Sequence, residues 1–109
     1  MPLVNIYFQQ AEATGQLQKL TPDLKKFLAE KLTCGDISLS PSEISVRFID
    51  VVGGDMIAEI ELEIAAHSFP ERVKKQDQIC LEVMQYFQKK TGIENVRVWL
   101  QLSELGHSW

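Results

Sequence analysis

The sequence predicts a single α+β domain: two β-α-β units whose four strands make one mixed sheet, with two helices on one face. Three observations predict it. Alternating apolar residues mark four short strands. Apolar stripes at helical spacing fall between the first and second strands and between the third and fourth. The two halves, about 2–52 and 57–102, share their punctuation, as a duplicated unit would. At 109 residues the chain is the size of one domain with one core, so the whole of 1–109 is assigned to it.

The first strand spans residues 2–9, with Val4, Ile6 and Phe8 on one face and Leu3, Asn5, Tyr7 and Gln9 on the other. Gln10 to Leu20 is polar and reads as a connecting loop with a helical C-terminal part. Thr21-Pro22-Asp23 reads as a helix start, with Thr21 as N-cap, Pro22 at N1 and an acid in the first turn. Leu24, Phe27, Leu28 and Leu32 form its apolar stripe, and Cys34-Gly35 is expected to close it, with the glycine as a left-handed cap. After the turn Ser40-Pro41-Ser42-Glu43, the β-branched run Ile44 to Val52 is the second strand, broken by Gly53-Gly54-Asp55. The third, Ile57 to Ala66, alternates Ala58, Ile60, Leu62 and Ile64 with Glu59, Glu61 and Glu63. A second helix runs from about Phe69-Pro70-Glu71 to Lys90, with Val73, Cys80, Val83, Met84 and Phe87 on its buried side. Thr91-Gly92 ends it, and Val96 to Leu102 is the last strand, followed by a tail ending at Trp109.

Each β-α-β is long enough for a right-handed parallel crossover, which places both helices on one face of the sheet. The expected strand core is Val4, Ile6, Phe8, Val46, Phe48, Ile60, Leu62, Ile64, Val96, Val98 and Leu100. The duplication is written in Pro22-Asp23-Leu24-Lys25-Lys26 against Pro70-Glu71-Arg72-Val73-Lys74-Lys75. It recurs in Val46-Arg47-Phe48-Ile49 against Val96-Arg97-Val98-Trp99.

Composition narrows the function. The net charge is −4 and the basic residues are scattered, which argues against a nucleic-acid groove. There is no apolar run long enough for a membrane span and no secretory leader pattern, so a cytoplasmic protein is expected. Cys34 and Cys80 are isolated, with no spacing for a metal site, and read as free thiols in a reducing compartment. No cofactor site is expected.

Two features carry chemistry. Pro2 follows the initiator, and a second-position proline is a small enough neighbour for Met1 to be removed. Its nitrogen then becomes a secondary amine at the mouth of a strand, a backbone nitrogen able to take a proton. The far face of the sheet, read by alternation, shows Asn5, Tyr7, Ser45, Arg47, Ile49, Glu59, Glu61, Glu63, Arg97, Trp99 and Gln101. That face is too charged for a core and too aromatic for a purely solvated surface, so it is expected to pack against other copies. Arg47 and Arg97 have two open readings: they grip a substrate carboxylate, or they pair with Glu59, Glu61 or Glu63. Trp99 is a substrate contact or a packing residue. His67 reads as a turn histidine, and Trp109 as an anchor on a neighbouring chain.

The chain resembles the tautomerase superfamily, which includes 4-oxalocrotonate tautomerase, 5-carboxymethyl-2-hydroxymuconate isomerase and macrophage migration inhibitory factor. Met1-Pro2-Leu3-Val4-Asn5-Ile6 is similar to the family's opening. Ser45-Val46-Arg47-Phe48-Ile49 is similar to the second-strand segment that carries the catalytic arginine of 4-oxalocrotonate tautomerase. The resemblance implies a cofactor-independent tautomerase acting on a small unsaturated 2-oxo or 2-hydroxy carboxylic acid. It implies a homotrimer with sites between subunits, Pro2 as the base, and Arg47, Arg97 and Trp99 as substrate contacts. Two departures count against dehalogenase and cytokine-type phenylpyruvate chemistry. Cys34-Gly35-Asp36 stands where cytokine-like members place an active-site lysine, and Ala65-Ala66-His67-Ser68-Phe69 lacks the paired arginines of the cis-specific dehalogenases. The alternative is a non-catalytic binding module of ferredoxin-like or tautomerase fold, and strand order separates the ferredoxin-like arrangement from the other.

Overall fold

A computed structural model of the chain describes residues 2–9, 14–35 and 38–104. Strand β1 is Leu3–Phe8, followed by helices α1, Thr14–Gln18, and α2, Thr21–Leu32. A 3-10 turn at Pro41–Glu43 leads into β2, Ser45–Asp50. Strand β3 is Ile60–His67, helices α3 and α4 are Pro70–Lys74 and Gln76–Thr91, and β4 is Val96–Ser103.

The sheet order is β2-β1-β3-β4. β1 is parallel to β2 and antiparallel to β3, and β3 is parallel to β4. Each parallel pair is therefore directly hydrogen-bonded, and the two pairs meet back to back at the centre. A ferredoxin-like sheet splits its β-α-β units by a strand between the parallel partners, so that arrangement is excluded.

The core lies between the sheet and the helices. Val4, Ile6, Phe8, Ile60, Leu62, Ile64, Val96 and Leu100 are buried on the sheet side. Leu24, Leu28, Leu32, Ile79, Val83 and Phe87 are buried on the helix side. Each such side chain contributes about 1.5–3 kcal/mol by leaving water. Val46, Phe48 and Val98, expected in the core, are half-buried. All three sit on β2 or β4, the two edge strands, where cover is thinner.

Several boundaries differ from the pattern, each for a local reason. Thr21 does not cap α2; it is the first helical residue, Leu20 is the N-cap, and no side chain bonds the helix end. The short α1 already brings the chain in helically, and the Leu24 N–H reaches the Leu20 carbonyl at 2.8 Å. Gly35 does not close α2. Thr33 does, with its N–H and its hydroxyl both donating to the Ala29 carbonyl, while Gly35 takes a positive φ two residues later. β3 starts at Ile60 rather than Ile57, because Glu61 Oε2 accepts the Ile57 and Ala58 N–H groups at 2.8 and 3.2 Å and holds them out of the ladder. The second helix is broken at Lys75, which leaves the helical region at ψ 11°. That break re-phases the helix, so Val73 is exposed and Ile79, absent from the expected stripe, is buried. Cys80 and Met84 are half-buried. Gly92 does end α4 in a left-handed cap.

Candidate active site

Pro2 precedes β1 directly and is fully buried. Its carbonyl accepts the Ser45 N–H at 3.1 Å, which ties it to the start of β2. Alternation puts Pro2 in phase with Val4 and Ile6, on the core side of the sheet. It stands at the end of the sheet where β3 and β4 finish, as the Leu3–Ala65 register and the Ser68 N–H to Ser103 carbonyl bond show.

The opposite face carries the other expected residues in two cross-strand rows. One row is Arg47, Asn5, Glu63 and Trp99; the next is Ile49, Tyr7, Glu61 and Arg97. Arg47, Arg97 and Trp99 are exposed, Trp99 at 46%. Arg47 and Trp99 occupy the two edge strands, about 14 Å apart at three strand spacings. Arg97 lies a further five residues from the Pro2 level, about 17 Å along the strands. One protomer therefore does not gather Pro2, Arg47, Arg97 and Trp99 around a common point.

The glutamates of β3 are used locally. Glu63 Oε1 accepts from Asn5 Nδ2 at 3.1 Å and from the Tyr7 hydroxyl at 3.0 Å. That hydrogen bond, with lesser contributions from burial and the Glu63 charge, raises the Tyr7 phenol above its ordinary value. Glu61 is committed to the Ile57 and Ala58 amides. Among the described residues, neither Arg47 nor Arg97 forms an ion pair; the single pair is Lys31–Glu82 at 2.8 Å. The reading in which the arginines pair with Glu59, Glu61 or Glu63 inside the protomer is thus not realised. Asn5 Oδ1 is buried with no hydrogen-bond partner, an acceptor left waiting for a donor.

A cleft of about 630 Å3 opens beside this face, walled by Tyr7, Glu61, Glu63, Trp99 and Gln101 among others. Its two carboxylates disfavour an anionic ligand unless a cation enters with it. Pro2 is not on its wall. His67 is not a turn residue: it is the last residue of β3, with its ring edge-on to Phe69 at 4.6 Å. Trp109 lies outside the described residues. No three His, Cys, Asp or Glu among the described residues are placed to hold a metal ion, and no helix is long and apolar enough to cross a membrane.

Sequence reasoning missed Arg72, the one buried charged side chain among the described residues. The signal was present: Arg72 follows Pro70 as Leu24 follows Pro22, and Leu24 is a core position.

No family model and no curated protein matches the chain. Solved structures do. An asymmetric trimer of a fused 4-OT superposes with a TM-score of 0.71 at 10% identity, covering 96% of this chain and 91% of that one. A malonate semialdehyde decarboxylase gives a TM-score of 0.68 at 11% identity, over 94% and 84%. A macrophage migration inhibitory factor-like protein from Entamoeba histolytica gives 0.62 at 19% identity, over 98% and 95%. The fold is tautomerase-like. At these identities the likeness fixes the architecture of the tautomerase-like sheet and its helices, and leaves the chemistry to the residues.

Proposed function

We propose that the chain is a cofactor-independent tautomerase that moves a proton within a small unsaturated 2-oxo or 2-hydroxy carboxylic acid. The observation that carries this reading is the position of Pro2, buried at the mouth of the first strand of a tautomerase-like fold. Loss of Met1 turns its nitrogen into a secondary amine. Burial disfavours the protonated form of an amine, which favours the free base that the reaction needs. The amine takes the proton from the hydroxyl or the carbon of the substrate, and the same group returns it to another carbon of the conjugated system. Negative charge grows on the substrate between the two transfers and has to be balanced by positive groups.

Arg47 is suited to that task. It is exposed, forms no ion pair among the described residues, and has a planar fork that matches a carboxylate. It lies on the other face of the sheet from Pro2, so the reading places it against the Pro2 of a neighbouring copy. Arg97 and Trp99 are assigned as further substrate contacts from a neighbour. A homotrimer is part of this reading, and the outer sheet face supports it: among the described residues two arginines form no ion pair, the Asn5 acceptor has no donor, and Leu3 and Trp99 are half-exposed. Trimeric forms of fused 4-OT share the architecture.

The test is ketonisation of an enol acid followed by absorbance, comparing wild type with Pro2→Ala and Arg47→Ala. Pro2→Ala still frees an N-terminal amine, but a primary and unconstrained one, and is expected to lower kcat by up to about 10²-fold. Arg47→Ala is expected to raise KM and lower kcat/KM by about tenfold or more. Equal activity in all three proteins overturns the assignment. Gel filtration of the wild type at monomer mass overturns the intersubunit site.

A further inference from the structure

Asn5 stands on β1 between Arg47 on β2 and Glu63 on β3, in register with both. Its Nδ2 donates to Glu63 Oε1 at 3.1 Å, and the Tyr7 hydroxyl donates to the same oxygen at 3.0 Å. Asn5 Oδ1 is the one buried side-chain oxygen or nitrogen without a hydrogen-bond partner among the described residues. A buried acceptor left unpaired is costly. Because it is buried, bulk solvent does not supply the missing donor.

Turning the Asn5 amide around does not cure this. Reversal sets Oδ1 against the Glu63 carboxylate, two acceptors facing each other, and leaves Nδ2 unpaired instead. The bond to Glu63 therefore fixes the amide, and an amide that gives its N–H to β3 turns its oxygen away from β3. The side chain next to Asn5 on that other side is Arg47. Paired residues on neighbouring strands share a face, one strand spacing of about 4.8 Å apart. An arginine side chain crosses that gap by rotation about its own bonds. Its guanidinium carries five donors and no acceptor, and Arg47 is exposed and forms no ion pair among the described residues. The other nearby donors do not reach. Trp99 stands beyond Glu63 in the same row. Ser45 has a short side chain and lies two residues along β2, about 6.6 Å away.

We propose that Asn5 is a positioning residue for Arg47. Asn5 Oδ1 accepts a guanidinium N–H, and the chain Glu63–Asn5–Arg47 holds the arginine fork ready for a carboxylate. That role rests on the reading of Arg47 as the carboxylate clamp. The Glu63 carboxylate polarises the amide that donates to it, which makes the amide oxygen a better acceptor for a cation. One N–H given to Asn5 leaves the rest of the fork free to grip the substrate. A long side chain that is already held loses less freedom when it grips.

The first test is nuclear magnetic resonance of the folded wild-type protein, following exchange of the Arg47 guanidinium hydrogens with water and assigning them by their absence in Arg47→Ala. Exchange is expected to be slow, and at least about tenfold faster in Asn5→Ala. Exchange in the wild type as fast as in free arginine overturns the proposal without any variant. So does unchanged exchange in an Asn5→Ala protein of native circular dichroism. The second test is the ketonisation assay. Asn5→Ala is expected to raise KM about three- to tenfold with kcat within about twofold, and to add nothing in the Arg47→Ala background. A fall in kcat at unchanged KM, or a rise in KM that persists without Arg47, overturns the positioning role. Slow, Asn5-dependent exchange in a protein without ketonisation activity supports the bond and overturns the tautomerase reading alone. Fast exchange in an active enzyme overturns the bond alone.

Discussion

The two β-α-β halves use one scaffold for different ends. In each, a strand is followed by a helix whose second turn-facing residue after a proline is buried. In the first half that residue is Leu24, and it joins the core; in the second it is Arg72, and it donates to two carbonyls. The entrances differ as well. β1 is entered straight from Pro2, whereas β3 is entered through residues 57–59, where Glu61 accepts the Ile57 and Ala58 N–H groups and the Glu59 N–H donates to the Asn95 carbonyl. The shared order of elements sets where strands and helices lie, and single positions decide what each half can do.

Substitutions at the matched positions test that contrast. Leu24→Ala leaves a cavity among Leu28, Leu32 and the sheet, and is expected to cost about 2–5 kcal/mol in urea unfolding. Arg72→Leu copies the first half into the second. It strands the Leu32 and His67 carbonyls but removes a buried charge, so a smaller loss of about 1–3 kcal/mol is expected. A loss larger than that of Leu24→Ala breaks the comparison, because Arg72 would then be the stronger core residue of the two.

The outer face responds less. Glu63→Gln removes the carboxylate that Tyr7 and Asn5 share. The Tyr7 phenol is then expected to fall toward its ordinary value, read as an earlier rise of tyrosinate absorbance. Tyr86, raised by burial and by Asp23, is expected to stay where it is. The stability cost is about 1 kcal/mol.

The smallest effect belongs to the bridge between the helices of the two halves. Glu82 is held below its ordinary value by hydrogen bonds from Gln78 and then Lys31. A carboxyl lowered in the folded state contributes stability above the unfolded value, near 4.3 for glutamate, and loses it as pH falls through the lower folded value. Glu82→Gln is expected to flatten that acid limb and to cost at most about 1 kcal/mol at neutral pH, as exposed ion pairs do. An unchanged acid limb removes the bridge from the account.

The strands and their faces were legible because period-2 alternation is a backbone property. Of the residues expected on the outer face, all but Glu59 lie in register there, and Glu59 falls before the start of β3. What was not legible came from side chains that bond at a distance along the chain. Glu61 shortens β3 by capturing two amides, and Thr33 ends α2 ahead of Gly35. Lys75 breaks the second helix and exchanges Val73 for Ile79 in the core. Arg72 stayed hidden because charge predicts exposure, and only its pairing with the Leu24 position pointed inward. The site was legible as a set of residues and not as a place, since one copy holds Pro2 and Arg47 on opposite faces of the sheet.

The central claim is that the nitrogen of Pro2 is the working base. The most direct measurement is the intact mass of the purified protein, taken on the same sample that is assayed for ketonisation of an enol acid. The account predicts an active protein lighter by one methionine, with activity lowered in Pro2→Ala. An active protein that retains Met1, its Pro2 nitrogen locked in an amide, contradicts it.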